Sequence, residues 1–348
     1  MIEHLIASNY KENEYPVCLA QAKAWHTSRP FEHLTILDAT PIFRNTLVKH
    51  KALLAAGAHL IVGRAASFPC DEKIVKLLND SGISVISSDE AQSCDVDVVL
   101  DCAASFIHWD ARLGVVELTR SGVPKYAQKD TPVFVADSGR IKRIETCLGT
   151  GESYFRAMSH LGYADWNDKK IVIFGSGKVG LGLLTYAVKN GTRPTVVTQS
   201  QTVTESVRRL AHEIIDCDDI EAVAATLRDA YAVVTATGVA GALAHPKIVQ
   251  ALMQSPALLA NMGVEDEFGA AMPAERVLMQ KSTLNFILEE PTHLKYIDAT
   301  MALHNEGIQY LLSHPSERGL IEPPADLEER LLQITREKGC IGNEIDMI

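Results

Sequence analysis

The sequence predicts an α/β protein built from two Rossmann-like, doubly wound domains with mostly parallel sheets. Three observations support this fold class. The chain has 348 residues, enough for two domains of ordinary size. Short apolar segments alternate with segments of helical character in both halves of the chain, which is the pattern of βαβ units. One apolar segment, residues 170–174, runs directly into a G-x-G-x-x-G turn and then into a helix-like segment.

The composition restricts the classes of function. A hydrophobic fraction of 47% indicates a globular core, and a net charge of -11 without a Lys/Arg run argues against a nucleic-acid partner. The first fifteen residues contain three glutamates and no long apolar run, so we expect a cytoplasmic protein with no membrane partner. The seven cysteines are scattered and form no C-x-x-C pair, which predicts reduced thiols and no metal site.

The first predicted domain covers residues 1–150. Its expected strands and helices are strands 33–38, 59–63, 84–87 and 97–102, and helices 44–56, 71–80 and 107–121. Residues 133–136 and 140–144 flank the turn-forming sequence Asp-Ser-Gly at 137–139, which favours a β-hairpin.

The second predicted domain covers residues 151–299, and its strands begin after a polar link at 163–169. Its expected strands are 170–174, 194–198, 232–236, 257–260 and 284–288. Segments 300–313 and 326–338 have helical character, and the region 300–348 could complete the first domain.

The glycine turn at 175–180 predicts a nucleotide cofactor. Gly175 permits the tight turn, Gly177 lets the backbone approach a pyrophosphate, and Gly180 lets the helix pack closely on the strand. The phosphates would then lie at the helix N-terminus. The alternative is a tight turn of purely structural purpose. The predicted cofactor residues of the turn are Gly175, Ser176, Gly177, Lys178, Val179 and Gly180.

Further cofactor contacts are expected where other strands of this domain end. Thr237 and Gly238 follow one strand, and Asn261, Met262 and Gly263 follow another, although glycine can simply terminate a strand. Gln199 follows the second strand, where an acid would bind the 2'-hydroxyl of NAD. Because no arginine follows Gln199 immediately, NAD is favoured and NADP stays open.

Four segments of the chain carry a family resemblance. Residues 144–149, the glycine turn, residues 235–238 and residues 261–264 occur in the order found in S-adenosylhomocysteine hydrolases. The chain resembles a shortened relative of that family over about residues 34–312. The resemblance implies a substrate domain first, an NAD-binding domain second, a cleft between them, and chemistry by hydride transfer.

The resemblance also suggests site residues. Glu145 matches the family's substrate-binding glutamate, and Thr146 matches the first of three threonines that contact NAD. His304 is matched with a cleft histidine, and Asp298 is matched with an asparagine that lies near the nicotinamide in the family. Cys102 occupies the position of a substrate-site acid. Each has an ordinary alternative: Glu145 as a helix-entry acid, His304 as a hydrogen-bonded structural residue, Cys102 as core.

Other positions depart from the family. Val264 replaces a histidine near the reacting sugar, and the segment with the family's catalytic lysine is missing between residues 151 and 170. We therefore expect an NAD(P)-dependent, adenosylhomocysteinase-like enzyme that acts by hydride transfer on a different small polar substrate. Genuine adenosylhomocysteine hydrolysis and a non-catalytic, nucleotide-binding regulatory protein are the alternatives. A homo-oligomer is expected, although residues 342–348 lack the lysine and tyrosine with which relatives reach into a neighbouring protomer.

Overall fold

A computed structural model describes residues 1–66 and 68–346. The chain forms two compact units: residues 1–142 with 293–345, and residues 143–292 with Asp346. The sequence predicts domain boundaries at 150/151 and 299/300, and the two compact units meet along the chain at 142/143 and 292/293. Met347 and Ile348, at the end of the predicted C-terminal region, lie outside the described residues.

Each unit is organised around one sheet whose neighbouring strands are all parallel, so the predicted α/β class is confirmed. In chain order the strands are β1 (Thr35–Asp38), β2 (His59–Arg64), β3 (Ser84–Ser87), β4 (Val96–Asp101), β5 (Ala111–Glu117), β6 (Pro132–Val135), β7 (Lys170–Phe174), β8 (Arg193–Thr198), β9 (Glu213–Asp216), β10 (Ala232–Thr235), β11 (Leu258–Asn261) and β12 (Gly319–Ile321).

Helices connect the strands. The α-helices are α1 (Ile2–Asn9), α2 (Pro16–Ser28), α3 (Leu47–Ala55), α4 (Glu72–Asp80), α5 (Val123–Tyr126), α6 (Ile141–Arg143), α7 (Thr150–His160), α8 (Lys178–Lys189), α9 (Glu205–Leu210), α10 (Ile220–Thr226), α11 (Pro246–Gln254), α12 (Leu294–Ser313), α13 (Ala325–Lys338) and α14 (Gly342–Ile345). A π-helix spans Ile144–Gly149, and 3-10 turns occur at Glu12–Glu14, Arg44–Thr46, Ser200–Thr202, Ala274–Arg276, Leu278–Lys281 and Leu284–Ile287. Within the described chain, no helix has the combined length and apolar character needed to cross a membrane.

The strand order of each sheet contains a topological switch point. The first sheet has the order β12-β6-β5-β4-β1-β2-β3 and the second has the order β11-β10-β7-β8-β9. In the first unit the chain progresses from β1 towards β3 on one side and from β4 towards β12 on the other. In the second unit it progresses from β7 towards β9 and from β10 towards β11. Ligands of such sheets bind at the carboxyl ends of the strands beside the reversal.

The central strands have apolar, buried middle segments. Ile36 and Leu37 in β1, and the run of residues 98–100 in β4, are fully buried. In the second unit, residues 171–173 of β7 are also fully buried. Unbroken apolar runs of this kind are typical of parallel strands covered on both faces by helices, which is why they stand out in the sequence.

The predicted helix 107–121 is wrong. The structure places β5 (Ala111–Glu117) there, hydrogen-bonded between β4 and β6. Val115 and Val116 are buried in this strand, and β-branched side chains fit a pleated surface well. A short buried apolar run has no periodicity that separates strand from helix, and this ambiguity led to the wrong assignment.

Two other predicted elements are also wrong. The expected hairpin does not form, because β6 is parallel to both β5 and β12 and residues 140–144 turn into helix after Gly139 at φ 72°. The expected strand 284–288 is a 3-10 turn, Leu284–Ile287. An isolated bridge between Asn261 and Thr283 connects the residue before this turn to the second sheet.

Candidate functional site

The glycine turn of the second unit has a closed side and an open side. Gly175 has φ 100°, and a Cβ there would lie 2.5 Å from the carbonyl oxygen of Ala236. A Cβ on Gly180 would lie 2.1 Å from the carbonyl oxygen of Gly175. In contrast, a Cβ on Gly177 would meet nothing within 4 Å. The backbone is therefore packed tightly at two glycines and open at the third.

The open glycine is also the N-cap of α8. Its backbone is extended, with φ -68° and ψ -165°, and no side chain caps the helix. The first N–H groups of a helix have no partner within the helix and favour an anion. Ser176 Oγ lies 2.8 Å from Thr198 Oγ1, which ties the turn to the end of β8. Lys178 is exposed and Val179 is half-buried.

The loop after β10 is held by Glu267, a residue that no sequence motif marks. This carboxylate is fully buried. It accepts hydrogen bonds from the N–H and hydroxyl of Thr237, at 2.8 and 2.7 Å, and from the N–H of Gly238 at 2.8 Å. A Cβ on Gly263 would lie 2.1 Å from Glu267 Oε1. The loops after β10 and β11 are thus shaped by one acid whose partners lie about thirty residues away, a relation without local signal.

Asn261 acts as a clamp at the end of β11. Its Oδ1 accepts from Thr235 Oγ1 at 2.9 Å and from the N–H of Gly263 at 3.0 Å. Its Nδ2 donates to the carbonyl oxygens of Glu265 and Lys281 at 2.7 and 2.8 Å. Met262 is 4% exposed. These two predicted cofactor residues belong to the framework of the loop.

Glu145 and Thr146 lie on the π-helix that precedes α7, and both are half-buried. π-helical turns are uncommon and occur frequently at functional sites. The following helix packs tightly on α8, since a Cβ on Gly151 would lie 2.3 Å from the backbone of Gly182. The segment with these two residues is therefore anchored against the helix that begins at the glycine turn.

Gln199 is exposed directly after β8. Its carbonyl oxygen accepts from the N–H and hydroxyl of Thr202 at 3.1 and 3.0 Å, which closes a short 3-10 turn. Nearby, Asp216, Cys217 and Asp218 have potential metal-ligand atoms within 4.8 Å of one another. Because exposed acids often group in this way without a metal, we assign no ion to them.

In the first unit, three fully buried acids end adjacent strands at the switch point, and none of the three is among the site residues predicted from the sequence. Asp38 ends β1, Asp101 ends β4 and Glu117 ends β5. Each acid has partners a few residues further along the chain, and Lys49, His50 and Tyr126 reach Asp38 and Asp101 from other elements. The local sequence signal that the three acids share is an acid at the end of an apolar strand.

Asp38 lies against two basic side chains of α3. Lys49 Nζ lies 2.6 Å from Oδ1 and His50 Nε2 lies 3.0 Å from Oδ2, and all three side chains are fully buried. Thr40 donates its hydroxyl to Oδ1 at 2.7 Å. Burial raises the pKa of Asp38, but the Lys49 charge and the neighbouring His50 together hold it well below the usual value. Asp38 therefore stays ionised.

Asp101 and Glu117 form no ion pair with a cation in the described part of the chain, and they hold the loop after β4. Asp101 accepts from the N–H groups of Cys102 and Phe106 and from the hydroxyl of Tyr126. Glu117 accepts from the N–H groups of residues 103 and 104, each at 3.0 Å, which have φ 59° and 54°. Burial and the Glu117 charge raise the pKa of Asp101 to about 7. The left-handed backbone costs energy that these acceptors offset.

The candidates on α12 are engaged within the first unit. His304 is fully buried, with Nε2 2.9 Å from the carbonyl oxygen of Val116. Burial and the Lys49 charge lower the pKa of His304 well below its usual value, so the ring is neutral. Asp298 accepts from the N–H groups of Val17 and Cys18 at 2.8 and 3.0 Å, at the start of α2. Burial raises the pKa of Asp298 to about 6.

The predicted site residues are therefore distributed over both units. All predicted cofactor residues belong to the second unit, and the strand-end residues among them lie at the carboxyl edge of its sheet. Glu145 belongs to the second unit as well. Cys102, which is 4% exposed, belongs to the first unit with Asp298 and His304. The second unit has the strand order and the glycine turn of a Rossmann-type nucleotide-binding domain.

No protein-family model and no curated protein matches the chain. Among solved structures, the chain is similar to one of the subunits of dipicolinate synthase from Bacillus halodurans, with a TM-score of 0.49 and 11% sequence identity. That similarity covers 82% of this chain and 99% of the other. The fold class assigned above rests on the two parallel sheets themselves.

Proposed function

We propose that the second unit binds a nicotinamide dinucleotide and that the protein is an NAD(P)-dependent, adenosylhomocysteinase-like enzyme. Its reaction would be hydride transfer on a small polar substrate. The observation that carries the proposal is the open space at Gly177, between two glycines whose Cβ positions are blocked by backbone. A turn with only a structural purpose would not need a glycine at a negative φ facing empty space.

The residues around the turn fit this cofactor. A pyrophosphate would lie against Gly177 and the N-terminus of α8, where N–H groups favour an anion. Glu267 already accepts the N–H groups of Thr237 and Gly238, so these groups are not available to the cofactor. Contacts from that loop would come from its carbonyl oxygens and from Val239, which is 58% exposed. When bound, the dinucleotide would accept or donate the hydride.

For the substrate, we propose Glu145 as the carboxylate that positions a hydroxyl and accepts its proton. Its place on a π-helical turn, held against α8 through the Gly151 contact, supports a fixed orientation. Replacement by glutamine should leave dinucleotide affinity within about twofold while lowering turnover, since an amide cannot take a proton.

A second candidate function is nucleotide binding without catalysis, in a regulatory protein. It is favoured by the engagement of Asp298 and His304, which are at most 1% exposed and serve as internal hydrogen-bond partners. A metabolite screen that follows absorbance of the reduced nicotinamide separates the two functions. Substrate-dependent turnover excludes the binding-only function. Release of homocysteine from adenosylhomocysteine would instead identify the family's own reaction.

Cofactor binding is tested with Gly177→Val. The valine side chain would occupy the open space at the turn without meeting a protein atom within 4 Å at Cβ, so the fold should persist while binding is lost. The measurement is the affinity for NAD and NADP by calorimetry, together with mass analysis of any nucleotide released on denaturation. Gly177→Ala, with one methyl group, should weaken binding less. Unchanged affinity in the valine variant would refute the proposed site.

A further inference from the structure

The loop after β8 has the location at which Rossmann-type units distinguish NAD from NADP. β8 is the neighbour of β7, the strand that enters the glycine turn. The loop at the end of this second strand faces the adenosine ribose: an acid there binds the 2'-hydroxyl of NAD, and an arginine nearby accommodates the 2'-phosphate of NADP. Here the first residue of the loop is Gln199, which is neutral and exposed.

The acid beside this loop is already used to hold its backbone. Asp216 ends β9 and pairs in register with Thr198 of β8. Its Oδ2 accepts from the N–H of Ser200 at 3.1 Å and from the Ser200 hydroxyl, and its Oδ1 accepts from the N–H of Asp218 at 3.0 Å. Three protein donors therefore occupy the carboxylate that could otherwise accept from a ribose hydroxyl.

An arginine of the following helix donates a hydrogen bond to the same loop. Helix α9 starts after Thr204, whose hydroxyl accepts from the N–H of Val207 as an N-cap. In the last turn of this short helix, Arg208 Nη2 lies 3.4 Å from the carbonyl oxygen of Ser200 and donates to it. Arg208 is exposed and forms no ion pair with any residue the structure describes, so the protein does not neutralise its charge.

We infer that the second unit selects the 2'-phosphorylated dinucleotide, NADP, through Arg208, and this inference rests on the proposed function. A phosphate beside an unpaired guanidinium gains a charge-assisted, bidentate contact, whereas a ribose hydroxyl gains little from it. The amide of Gln199 adds a neutral donor and no repulsion, whereas the Ser200 hydroxyl is already donated to Asp216. We expect NADP to bind roughly ten- to a hundredfold more tightly than NAD.

The test is calorimetric titration of the full-length protein, freed of bound nucleotide, with NADP and NAD, and with 2',5'-ADP and 5'-AMP as probes of the adenosine end. Arg208→Ala should lower NADP affinity at least about tenfold and leave NAD affinity within about twofold. Arg209→Ala is the matched control, because Arg209 is the exposed neighbour without a contact to the loop. Gln199→Glu should reverse the preference, since its carboxylate repels the 2'-phosphate and accepts from the 2'-hydroxyl.

The outcomes separate this inference from the proposed function. If the protein binds NAD as tightly as NADP, or more tightly, the inference is overturned and the proposed function stands. If neither dinucleotide binds, both are overturned. An Arg208→Ala variant that keeps the wild-type preference, or an Arg209→Ala variant with an equal loss, also overturns the role of Arg208. Circular dichroism checks folding, and the independent Gln199→Glu result decides the matter if the alanine variant unfolds.

Discussion

At the scale of single residues, the pKa values of two buried carboxyl groups of the first unit are shifted in opposite directions. Asp38 faces Lys49 and stays ionised, with its pKa held well below the usual value. Asp101 faces the acidic Glu117 instead, and burial together with that charge raises its pKa to about 7. Removing Lys49 would leave a buried, uncompensated charge, whereas Asp101 can avoid its charge by keeping a proton.

This difference predicts a pH dependence of stability. Between about pH 4 and 7 the native protein keeps the Asp101 proton that the unfolded chain has released, so the free energy of unfolding falls as pH rises, by up to about 4 kcal/mol from this group. Asp101→Asn cannot titrate. The stability advantage of the wild type over this variant should therefore shrink from pH 4.5 to 7.5, about three pH units, in urea unfolding.

Subtraction of the variant removes the other titrating groups from the comparison. The lowered pKa of His304 has the opposite effect on stability. Below about pH 6.5 the unfolded chain binds a proton at this ring while the native protein does not, so the free energy of unfolding rises with pH. His304 and Asp38 are present in both proteins and largely cancel. A stability difference that stays constant across this pH range would contradict the raised pKa of Asp101.

At the scale of elements, close packing of two helices explains a glycine that helix propensity alone does not favour. Gly182 lies inside α8, where helix propensity alone favours alanine by about 1 kcal/mol. The π-helix brings the carbonyl oxygen of Cys147 to 1.9 Å from the position of a Cβ on Gly182. Backbone on both sides of this contact leaves no flexible side chain to move aside.

Gly182→Ala should therefore destabilise the protein by about 1–3 kcal/mol, against its helix propensity. The measurement is the free energy of unfolding in urea. Val188→Ala on the same helix is the control, because Val188 is 40% exposed and its truncation should change stability by no more than about 0.5 kcal/mol. A gain of stability in Gly182→Ala would show that the two helices do not approach as closely as described.

At the scale of the whole molecule, the proposed cofactor site belongs entirely to the second unit. A dinucleotide at about a hundred times its dissociation constant should stabilise the native state by about 2.7 kcal/mol. Scanning calorimetry should show a higher midpoint temperature for the unfolding transition of the second unit when the dinucleotide is present. Gly177→Val should abolish this rise, and a rise that persists in the variant would place the ligand elsewhere.

Features that depend on neighbouring residues can be read from the chain alone. The strand–helix alternation, the apolar strands β1, β4 and β7, and the glycine turn after β7 are all local patterns, and the structure has them where the sequence predicts them. Residues 111–117 form a strand because they are buried between β4 and β6. The spacing of their apolar residues does not distinguish a strand from a helix.

Which polar groups meet is fixed by the three-dimensional packing. Glu267 reaches the loop after β10, and Arg208 reaches the loop after β8. Asp298 contacts residues about 280 positions away at the start of α2. The physical reason is that a buried acid or an exposed guanidinium acquires its partner from the packing of separate elements, so its chemistry is set by distance in space and not by spacing along the chain.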